Sequence, residues 1–317
     1  MFSFIKKIQE LFSRLKRNKG LFFTTLSVIS ISGIMLFMYL IMTMTGSIKK
    51  DVYTTIANNS EQSINEVLDS KKELYEKLAN IIVSEKTTID TIKSLKKEEI
   101  TKLEEKYNKL FDNKTKYPLT FNFYPSLDTT NNYRSTIASL LRSKTEIFGI
   151  ETQATGVYIT LIKPIFDQKD FLGLIEVKQS VHSLKKTYEK KDLQFMFMMD
   201  KKMLVKLSLK AKTGKFKNVV SQYVVKQGNY SSRFYSTLGE MDEKTFKHSL
   251  KVHYDNDDKY FRSYKQVTDI NGLDIGLFVF ANRMEKSDSF VSLVDKMVKS
   301  VTYVSLGLVI SILLFMF

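Results

Sequence analysis

The run LFFTTLSVISISGIMLFMYLIMTMTGS, residues 21–47, decides how the rest of the chain is arranged. No residue from Gly20 through Ile48 carries a charge, and about 20 apolar residues in helical form are enough to cross a bilayer core of about 30 Å. The run is too long for the apolar segment of a cleaved signal peptide, and no small-x-small cleavage pattern follows it. We therefore interpret residues 21–47 as a transmembrane helix.

The residues that precede this span set its direction across the membrane. They contain a single acid, Glu10, and the bases Lys6, Lys7, Arg14, Lys16, Arg17 and Lys19. A short arm rich in Lys and Arg stays on the cytoplasmic side. Residues 1–20 are therefore predicted to be a cytoplasmic, basic amphipathic arm that lies on the inner lipid headgroups, and the chain after Ser47 is predicted to start outside.

A second apolar run, VTYVSLGLVISILLFMF, occupies residues 301–317 and contains no charged residue. As a helix it would reach about 25 Å, which is nearly a second crossing of the bilayer. Two spans with residues 48–300 between them predict a two-pass protein whose middle faces the outside. We expect the second span to be incomplete and the chain to be a fragment of a longer receptor. The alternative is that it signals through partners inside the membrane.

The composition limits what the outer segment can do. The net charge of +15 is spread evenly along the chain, and a segment outside the cell meets little nucleic acid, so nucleic acid is not an expected partner. The sequence contains no cysteine, which excludes disulfides, thiolate metal ligands and cysteine nucleophiles. His182, His248 and His253 lack the spacing of metal ligands, and no nucleotide-binding or hydrolase motif is present. We predict no catalytic residue, metal or cofactor.

Helical periodicity follows the first span. Apolar residues recur at steps of three and four from Ile64 to Ile82, which predicts a long amphipathic stalk helix and a second helix within residues 48–117. We expect a break either near Ser84–Thr88 or before Thr101-Lys-Leu-Glu104, which is typical of a capping box that opens the second helix. The apolar stripe is expected to pack on the domain it carries and to form a homodimer seam near the membrane.

Strand patterns replace the helical period after Pro118. Residues 118–192 are predicted to hold a strand at Leu119–Pro125, a short helix at Asn131–Lys144, three more strands up to Ser180 and a helix at Val181–Lys191. Pro164 indicates a sheet edge or a bulge. Residues 193–282 repeat the pattern, with strands at Leu193–Met199, Met203–Leu209, Lys259–Asp269 and Leu273–Ala281, an Asn271-Gly272 hairpin turn and a solvated tip at residues 255–258. Residues 283–300 are predicted to form a helix that runs into the second span.

An internal repeat joins these two halves. KPIFDQKDFLGLIEV begins at Lys163 and KQVTDINGLDIGLFVF begins 102 residues later at Lys265. Both have the order Lys, aliphatic, Asp, turn and Gly-Leu. A pattern that recurs at a fixed distance predicts two copies of one structural unit.

Residues 120–177 resemble one branch of the Cache sensor domains. The matching motifs are Phe121-Asn122-Phe123, Tyr133-Arg134, Gly149-Ile150-Glu151 with Gly156 after it, Lys163-Pro164-Ile165 and Leu172-Gly173-Leu174-Ile175-Glu176-Val177. The plan of the whole chain is similar to the double Cache sensors of bacterial chemoreceptors, sensor histidine kinases and membrane-bound diguanylate cyclases. The chain has Thr120, Asn122 and Thr160 where that branch often has histidine and a basic residue, so the resemblance names no particular ligand.

The resemblance implies an α+β protein: a long N-terminal helix that carries two PAS-like antiparallel-sheet subdomains, flanked by two transmembrane helices in the bacterial inner (cytoplasmic) membrane. Residues 118–192 would be the membrane-distal subdomain and residues 193–282 the proximal one. The distal pocket would take a small polar ligand, such as an amino acid, a carboxylate or an amine. Any enzymatic output module would lie beyond Phe317.

The candidate ligand-binding residues are Tyr133, Arg134, Glu151, Tyr158 and Thr160. Arg134 is able to hold a ligand carboxylate in two parallel bonds; the alternative is a surface arginine paired with an acid. Glu151 is placed to accept a ligand ammonium or to pair with Arg134. Tyr158 and Thr160 share one strand face, which we expect to line the pocket, although a register error of one residue would move them to the other face.

Two functions follow from these observations. The first is a transmembrane receptor that binds its ligand in the distal subdomain and passes a helix shift across the membrane. The second is a membrane-tethered scaffold protein whose outer domain binds a protein partner.

Overall fold

The computed structural model describes residues 19–112, 114–126, 133–284 and 290–316. The predicted cytoplasmic arm, apart from its last two residues, lies outside them. Residues Ile56–Arg283 form one compact unit, and the residues on either side of it belong to a second unit. The candidate site lies in the first of these.

The helices of the described residues begin with a long one that includes the first apolar run. They are α1 Lys19–Ser84, α2 Lys86–Ser94, α3 Lys97–Leu110, α4 Ser135–Ser143, α5 Leu184–Glu189, α6 Leu209–Lys212, α7 Ser232–Gly239, α8 Glu243–Val252 and α9 Phe290–Met316. Among the described residues, α1 is the helix that is long and apolar enough to cross a membrane. The second predicted span falls in α9, and the two-pass arrangement stays a prediction.

The break in the stalk comes where it was predicted, because α1 ends at Ser84 and α2 begins at Lys86. The predicted capping box at Thr101 is wrong. Helix α3 already begins at Lys97, and the Thr101 hydroxyl donates back to the carbonyl of Lys97 at 3.0 Å. A threonine inside a helix satisfies its hydroxyl in this way, without marking a helix start.

The strands form two antiparallel sheets. They are β1 Thr120–Pro125, β2 Ile147–Gln153, β3 Gly156–Asp167, β4 Asp170–Ser180, β5 Gln194–Asp200, β6 Phe216–Val220, β7 Tyr223–Lys226, β8 Tyr254–Asn256, β9 Tyr260–Thr268 and β10 Asp274–Arg283. The first sheet has the order β1-β4-β3-β2, and the second has the order β6-β7-β5-β10-β9-β8. The last four strands of the second sheet thus repeat the topology of the first.

The repeated sequence motif forms the central hairpin of each sheet, β3–β4 in the first and β9–β10 in the second. Its glycines have one role in both copies. A Cβ on Gly173 would overlap the backbone oxygen of Tyr124 on β1, and a Cβ on Gly276 would overlap that of Met198 on β5. Only glycine permits such close approach of two strands. The prediction of two copies of one unit is confirmed at the level of strand order.

The first sheet separates an apolar face from a polar one. Phe121 and Phe123 of β1 point toward the stalk, where their rings lie 6.3 and 6.2 Å from that of Tyr107 on α3. This face belongs to a large core that includes Tyr75 and Ile82 of α1. Side chains alternate between the faces of a strand, so Asn122 and Tyr124 lie on the opposite face.

The stalk stripe packs on the domain only in part. Ile64, Tyr75 and Ile82 are buried, but Leu74 is 47% exposed and Ile81 is 59% exposed. These two positions lie on the flank of the stripe, beyond the arc of the helix that the sheet covers. The first part of the prediction, that the stripe packs on the domain, thus holds for the buried positions, and the homodimer seam stays a prediction.

The strand predicted at residues 203–209 is wrong, whereas the bulge predicted at Pro164 is present. Residues 203–209 are not a strand, since Lys201–Lys206 is a 3-10 helix and α6 follows it. Pro164 lies in β3, a central strand, at a point beyond the last pair with β2, Ile147 with Ile162. There β3 is paired with β4 alone, which suits a residue that lacks an N–H, and a register shift follows at Ile165.

The acidic segment at residues 255–258 was predicted to be a solvated tip, and this is wrong for Asp255. Its carboxylate accepts from Arg262 Nη1 at 2.7 Å and also from the hydroxyl of Tyr264. Asp257 accepts from the other guanidinium nitrogen. The Arg262 side chain has no exposed surface, and a buried guanidinium needs carboxylates close by. The acids therefore have a structural role.

Candidate functional site

Polar side chains gather on the face of the first sheet that looks away from the stalk. We call the following set the Glu176 cluster: Asn122, Tyr124, Arg134, Glu151, Gln153, Thr160, Glu176 and Lys178. Every strand contributes at alternate positions, and Arg134 comes from the residue before α4. The apolar side of α4 packs beside the cluster, with Ile137 and Leu140 against Ile162 and Leu174.

The Glu176 carboxylate is the centre of this cluster. It is fully buried, and each of its contacts in the cluster is with a donor. The donors are Asn122 Nδ2 at 2.9 Å, Tyr124 Oη at 2.8 Å, Gln153 Nε2 at 2.8 Å, Thr160 Oγ1 at 3.1 Å, Arg134 Nη2 at 2.5 Å and Lys178 Nζ at 3.3 Å. A buried carboxylate with this many donors is held in its charged form.

The ionisation of Glu176 follows from two opposing effects. Burial by itself would raise its pKa, but the charges of Lys178 and Arg134 and the hydrogen bonds from Tyr124 and Asn122 outweigh burial and lower the pKa to about 2. The pKa of Arg134 is raised, because the negative charges of Glu176 and Glu151 outweigh its burial. Both groups are therefore charged at neutral pH.

Arg134 connects Glu176 to the second acid of the cluster. Its Nε donates to Glu151 Oε1 at 3.1 Å, and Gln153 Nε2 donates to the other oxygen of Glu151 at 2.8 Å. The Arg134 side chain is 27% exposed, whereas Glu151 is 5% exposed and Glu176 is completely buried. Arg134 is thus the member of this charged triad that water and solutes reach most easily.

The structure brings together the predicted residues Arg134, Glu151 and Thr160. Tyr133 lies next to them, with its ring 5.3 Å from that of Tyr124 in an edge-to-face arrangement. The internal pairing of Arg134 with Glu151, one of the two alternatives drawn from the sequence, is present. Whether these residues bind a ligand stays a prediction.

Tyr158 is on the same face of the sheet as the Glu176 cluster, but its hydroxyl points away from Glu176 toward Thr155. Its hydroxyl donates to Thr155 Oγ1 at 2.9 Å, and its ring lies 5.2 Å from Lys178 Nζ. It lines a cavity beside the second sheet and makes no hydrogen bond to the Glu176 cluster among the described contacts. Tyr158 and Thr160 do share a face, as the alternation of the strand predicted.

Five members of the cluster were not among the candidate residues predicted from the sequence, namely Asn122, Tyr124, Gln153, Glu176 and Lys178. A signal for them exists, because polar residues occur two apart in each strand: 122 and 124 in β1, 151 and 153 in β2, 158 and 160 in β3, 176 and 178 in β4. Apolar residues occupy the positions between most of these. Four strands with this pattern predict a polar face, but only the register shows which side chains meet.

The cluster balances its charges. Arg134 and Lys178 are cations, and Glu151 and Glu176 are anions. Buried charges persist only when paired and hydrogen-bonded, so removal of one partner leaves another uncompensated. Such a site is able to exchange an internal partner for a ligand group of the same charge. It offers neither an activated nucleophile nor a set of metal ligands for catalysis.

Comparison with known proteins gives structural neighbours. No protein-family model and no curated protein sequence matches the chain. A domain of a sensory box/GGDEF family protein from Vibrio parahaemolyticus is similar, with 8% identity and a TM-score of 0.44 over 76% of this chain and 100% of that one.

Two further neighbours come from sensory proteins. The sensor domain of the Vibrio cholerae histidine kinase DctB has 11% identity and a TM-score of 0.37, over 72% of this chain and 97% of that one. The ligand-binding domain of the Pseudomonas aeruginosa amino acid chemoreceptor PctC, in complex with GABA, has 12% identity and a TM-score of 0.34, over 77% and 97%. The neighbours are domains of Cache or PAS-like sensors, the class that the sequence resembles.

Proposed function

We propose that this chain is the sensory region of a two-pass membrane receptor, and that it binds a small polar ligand at the Glu176 cluster. The observation that supports this most strongly is the cluster itself, a buried and charge-balanced polar network on one face of the first sheet. A network of this kind is costly to bury, and perturbed charged groups gather at functional sites more often than elsewhere. The role proposed for the cluster is binding, not catalysis.

The ligand would exchange with an internal partner of Arg134. A ligand carboxylate would take the place of Glu151 on the guanidinium, because Arg134 is the accessible member of the triad. The released Glu151 would then be free to accept a ligand ammonium group. Amino acids carry both groups, and simple carboxylates or amines carry one of them. An amino acid brings one charge of each sign, so its entry keeps the buried charges balanced.

A path from the cluster to the stalk runs through β4. Glu176 and Lys178 face the cluster, whereas Gln179 faces α1, where its Oε1 accepts from Lys71 Nζ at 2.6 Å. The Lys71 pKa is lowered to about 8 by burial. A movement of β4 would therefore shift the Gln179–Lys71 contact and, with it, the position of α1. Coupling of this kind is typically about 1–3 kcal/mol, carried by helix shifts of about 1–2 Å.

The membrane arrangement is part of the same proposal. Helix α1 supplies one candidate span, and the apolar run at residues 301–317 would supply the other. Residues 48–300 would then lie on the extracytoplasmic side of the bacterial inner membrane. A homodimer is proposed as well, since Leu74 and Ile81 on α1 are exposed apolar side chains that a second copy would cover.

Isothermal titration calorimetry tests the ligand site. The full chain in lipid nanodiscs is titrated with amino acids, carboxylates and amines. We expect one of these classes to bind, and Arg134→Lys to weaken that binding at least tenfold, because lysine does not form the two parallel bonds of a guanidinium. Arg142→Lys on the exposed side of α4 is the matched control and should leave binding unchanged. A folded chain that binds nothing in the panel would contradict the proposal.

A further inference from the structure

A cavity of about 480 Å³ lies between the first and second sheets, within the compact unit. Its walls come from the ends of β1, β3 and β4 on one side and from β5, β7 and the 201–212 segment on the other. Small-molecule sites commonly have volumes of about 300–1,000 Å³. The cavity is therefore large enough for a small organic molecule, and it is separate from the buried carboxylate of Glu176, which does not line it.

Positive charge dominates this cavity. Lys116 and Lys226 line it, and none of its lining residues, all of which belong to the described part of the chain, is an acid. Burial lowers the pKa of Lys226, and the nearby charges of Lys215 and Lys116 lower it further. His182 also lines the cavity, and burial together with the charges of Lys226 and Lys116 lowers its pKa to about 3. An anion would relieve this repulsion.

Asn229 supplies a hydrogen-bond donor without a partner. Its Oδ1 accepts from the hydroxyl of Tyr117 at 2.8 Å, but its Nδ2 is buried and, among the described residues, has no partner. The residue is 6% exposed and lines the cavity. Buried donors in folded proteins nearly always have an acceptor. Lys116 is close by, since its Nζ donates to the carbonyl of Gly228 at 3.0 Å.

The rest of the wall is apolar and comes mainly from the second subdomain. Phe197, Met199, Leu207 and Val224 are buried side chains that line it. A binding site that combines apolar walls with a few convergent polar groups selects the ligand by both properties. Here the polar groups are two cations and an amide donor, all of which favour an acceptor with negative charge.

We propose that this cavity binds a small organic anion, a monocarboxylate with an aliphatic or aromatic body. The carboxylate accepts from Asn229 Nδ2 and is neutralised by Lys226 and Lys116, while the hydrocarbon part contacts Met199, Leu207 and their apolar neighbours. Because both sheets line the cavity, its occupancy would set how the two subdomains pack on each other. This site is independent of the exchange proposed at the Glu176 cluster.

Calorimetric titration of the full chain in nanodiscs tests this site with benzoate and hexanoate, and with their neutral counterparts benzyl alcohol and hexan-1-ol. We expect the carboxylates to bind at least tenfold more tightly than the alcohols, since hydrogen bonds to charged groups are the strong ones. Inorganic phosphate, which lacks an apolar part, should bind more weakly than either carboxylate. Equal affinity for the acids and the alcohols, or tighter binding of phosphate, would overturn the proposal.

Variants of residues that line the cavity test whether benzoate binds there. Lys226→Gln should weaken benzoate binding at least tenfold and Lys226→Arg should retain it; Lys77→Gln, on the exposed side of α1, is the control. Ala211→Phe, which fills the cavity from a partly exposed wall, should abolish binding while the circular dichroism spectrum is unchanged. Arg134→Lys should leave the benzoate affinity of the cavity unchanged, because Arg134 does not line it; any carboxylate binding that is lost with Arg134→Lys belongs to the Glu176 cluster instead. Benzoate binding that survives both Lys226→Gln and Ala211→Phe would refute the assignment.

Discussion

Replacement of Glu176 by glutamine keeps the size of the side chain but removes its charge and turns one of its oxygens into a donor. The cluster groups that contact the carboxylate are all donors, including Arg134 and Lys178. The new amide would therefore face donors, and the two cations would lose their buried counter-charge. Breaking a buried pair by removal of one partner typically costs about 3–5 kcal/mol.

The pKa of Glu176 gives a second way to calculate how much its charge contributes to the free energy of unfolding. A fall from the usual value of 4.5 to about 2 corresponds to about 3 kcal/mol of preference for the charged form in the folded protein. Because the folded pKa is the lower one, this stability is fully present above about pH 5 and is lost as the pH falls toward 2. The two estimates agree, so we expect Glu176→Gln to lower the free energy of unfolding by about 3–4 kcal/mol at pH 7.

Urea unfolding of the detergent-solubilised chain, followed by far-UV circular dichroism, measures this difference. Between pH 5 and pH 3 the difference in unfolding free energy between the wild type and Glu176→Gln should narrow, because Glu176 takes up a proton in the unfolded chain while it stays charged in the folded one. Glu73→Gln, an exposed acid in a weak pair with Lys77, should change the unfolding free energy by less than about 0.5 kcal/mol. A gap that does not depend on pH, or no gap at pH 7, would refute the reasoning.

Four further predictions concern the cluster, the strand crossings, the buried histidine and the topology. Arg134→Lys should lower the free energy of unfolding by about 1.5–3 kcal/mol, measured by urea unfolding; an unchanged midpoint would contradict the role of its two bonds. Gly173→Ala should lower the free energy of unfolding by about 3 kcal/mol, because the added Cβ would overlap the backbone of Tyr124. Gly214→Ala has open space around the added Cβ and should lower it by about 1 kcal/mol. Thermal unfolding compares the two variants, and equal losses of stability would be inconsistent with a close strand approach at Gly173. His182 has a pKa lowered to about 3 by burial, so the folded state should lose stability as the pH falls below 6.5. The His182→Asn variant should lose less unfolding free energy than the wild type between pH 6.5 and 4. Parallel plots of unfolding free energy against pH for the two proteins would exclude the histidine as the cause. A reporter enzyme active only outside the cytoplasm, fused at residue 200, should be active in intact cells; activity of a cytoplasm-specific reporter there would reject the proposed topology.

The sequence by itself determined the elements that depend on local or repeating patterns. The apolar run at residues 21–47 needs no tertiary information, since a lipid-length stretch without charge is recognisable by counting. The change from helical to alternating periodicity at Pro118 located the first sheet, and the repeat from Lys163 to Lys265 predicted its second copy. Predictions from single short motifs did less well, because the capping box at Thr101 and the strand at residues 203–209 were both overridden by their surroundings.

Only the tertiary structure decided the candidate site. Glu176 lies on β4, which pairs with β1 on one side and β3 on the other, so that Glu176 is opposite Asn122 and Ile162. These partners are far apart in the sequence, and a slip of one residue in either pairing would turn the carboxylate to the apolar face. Local patterns record which residues are polar, but the register of strands is set by the packing of the whole sheet. The meeting of Arg134, Glu151 and Glu176 is a product of that packing.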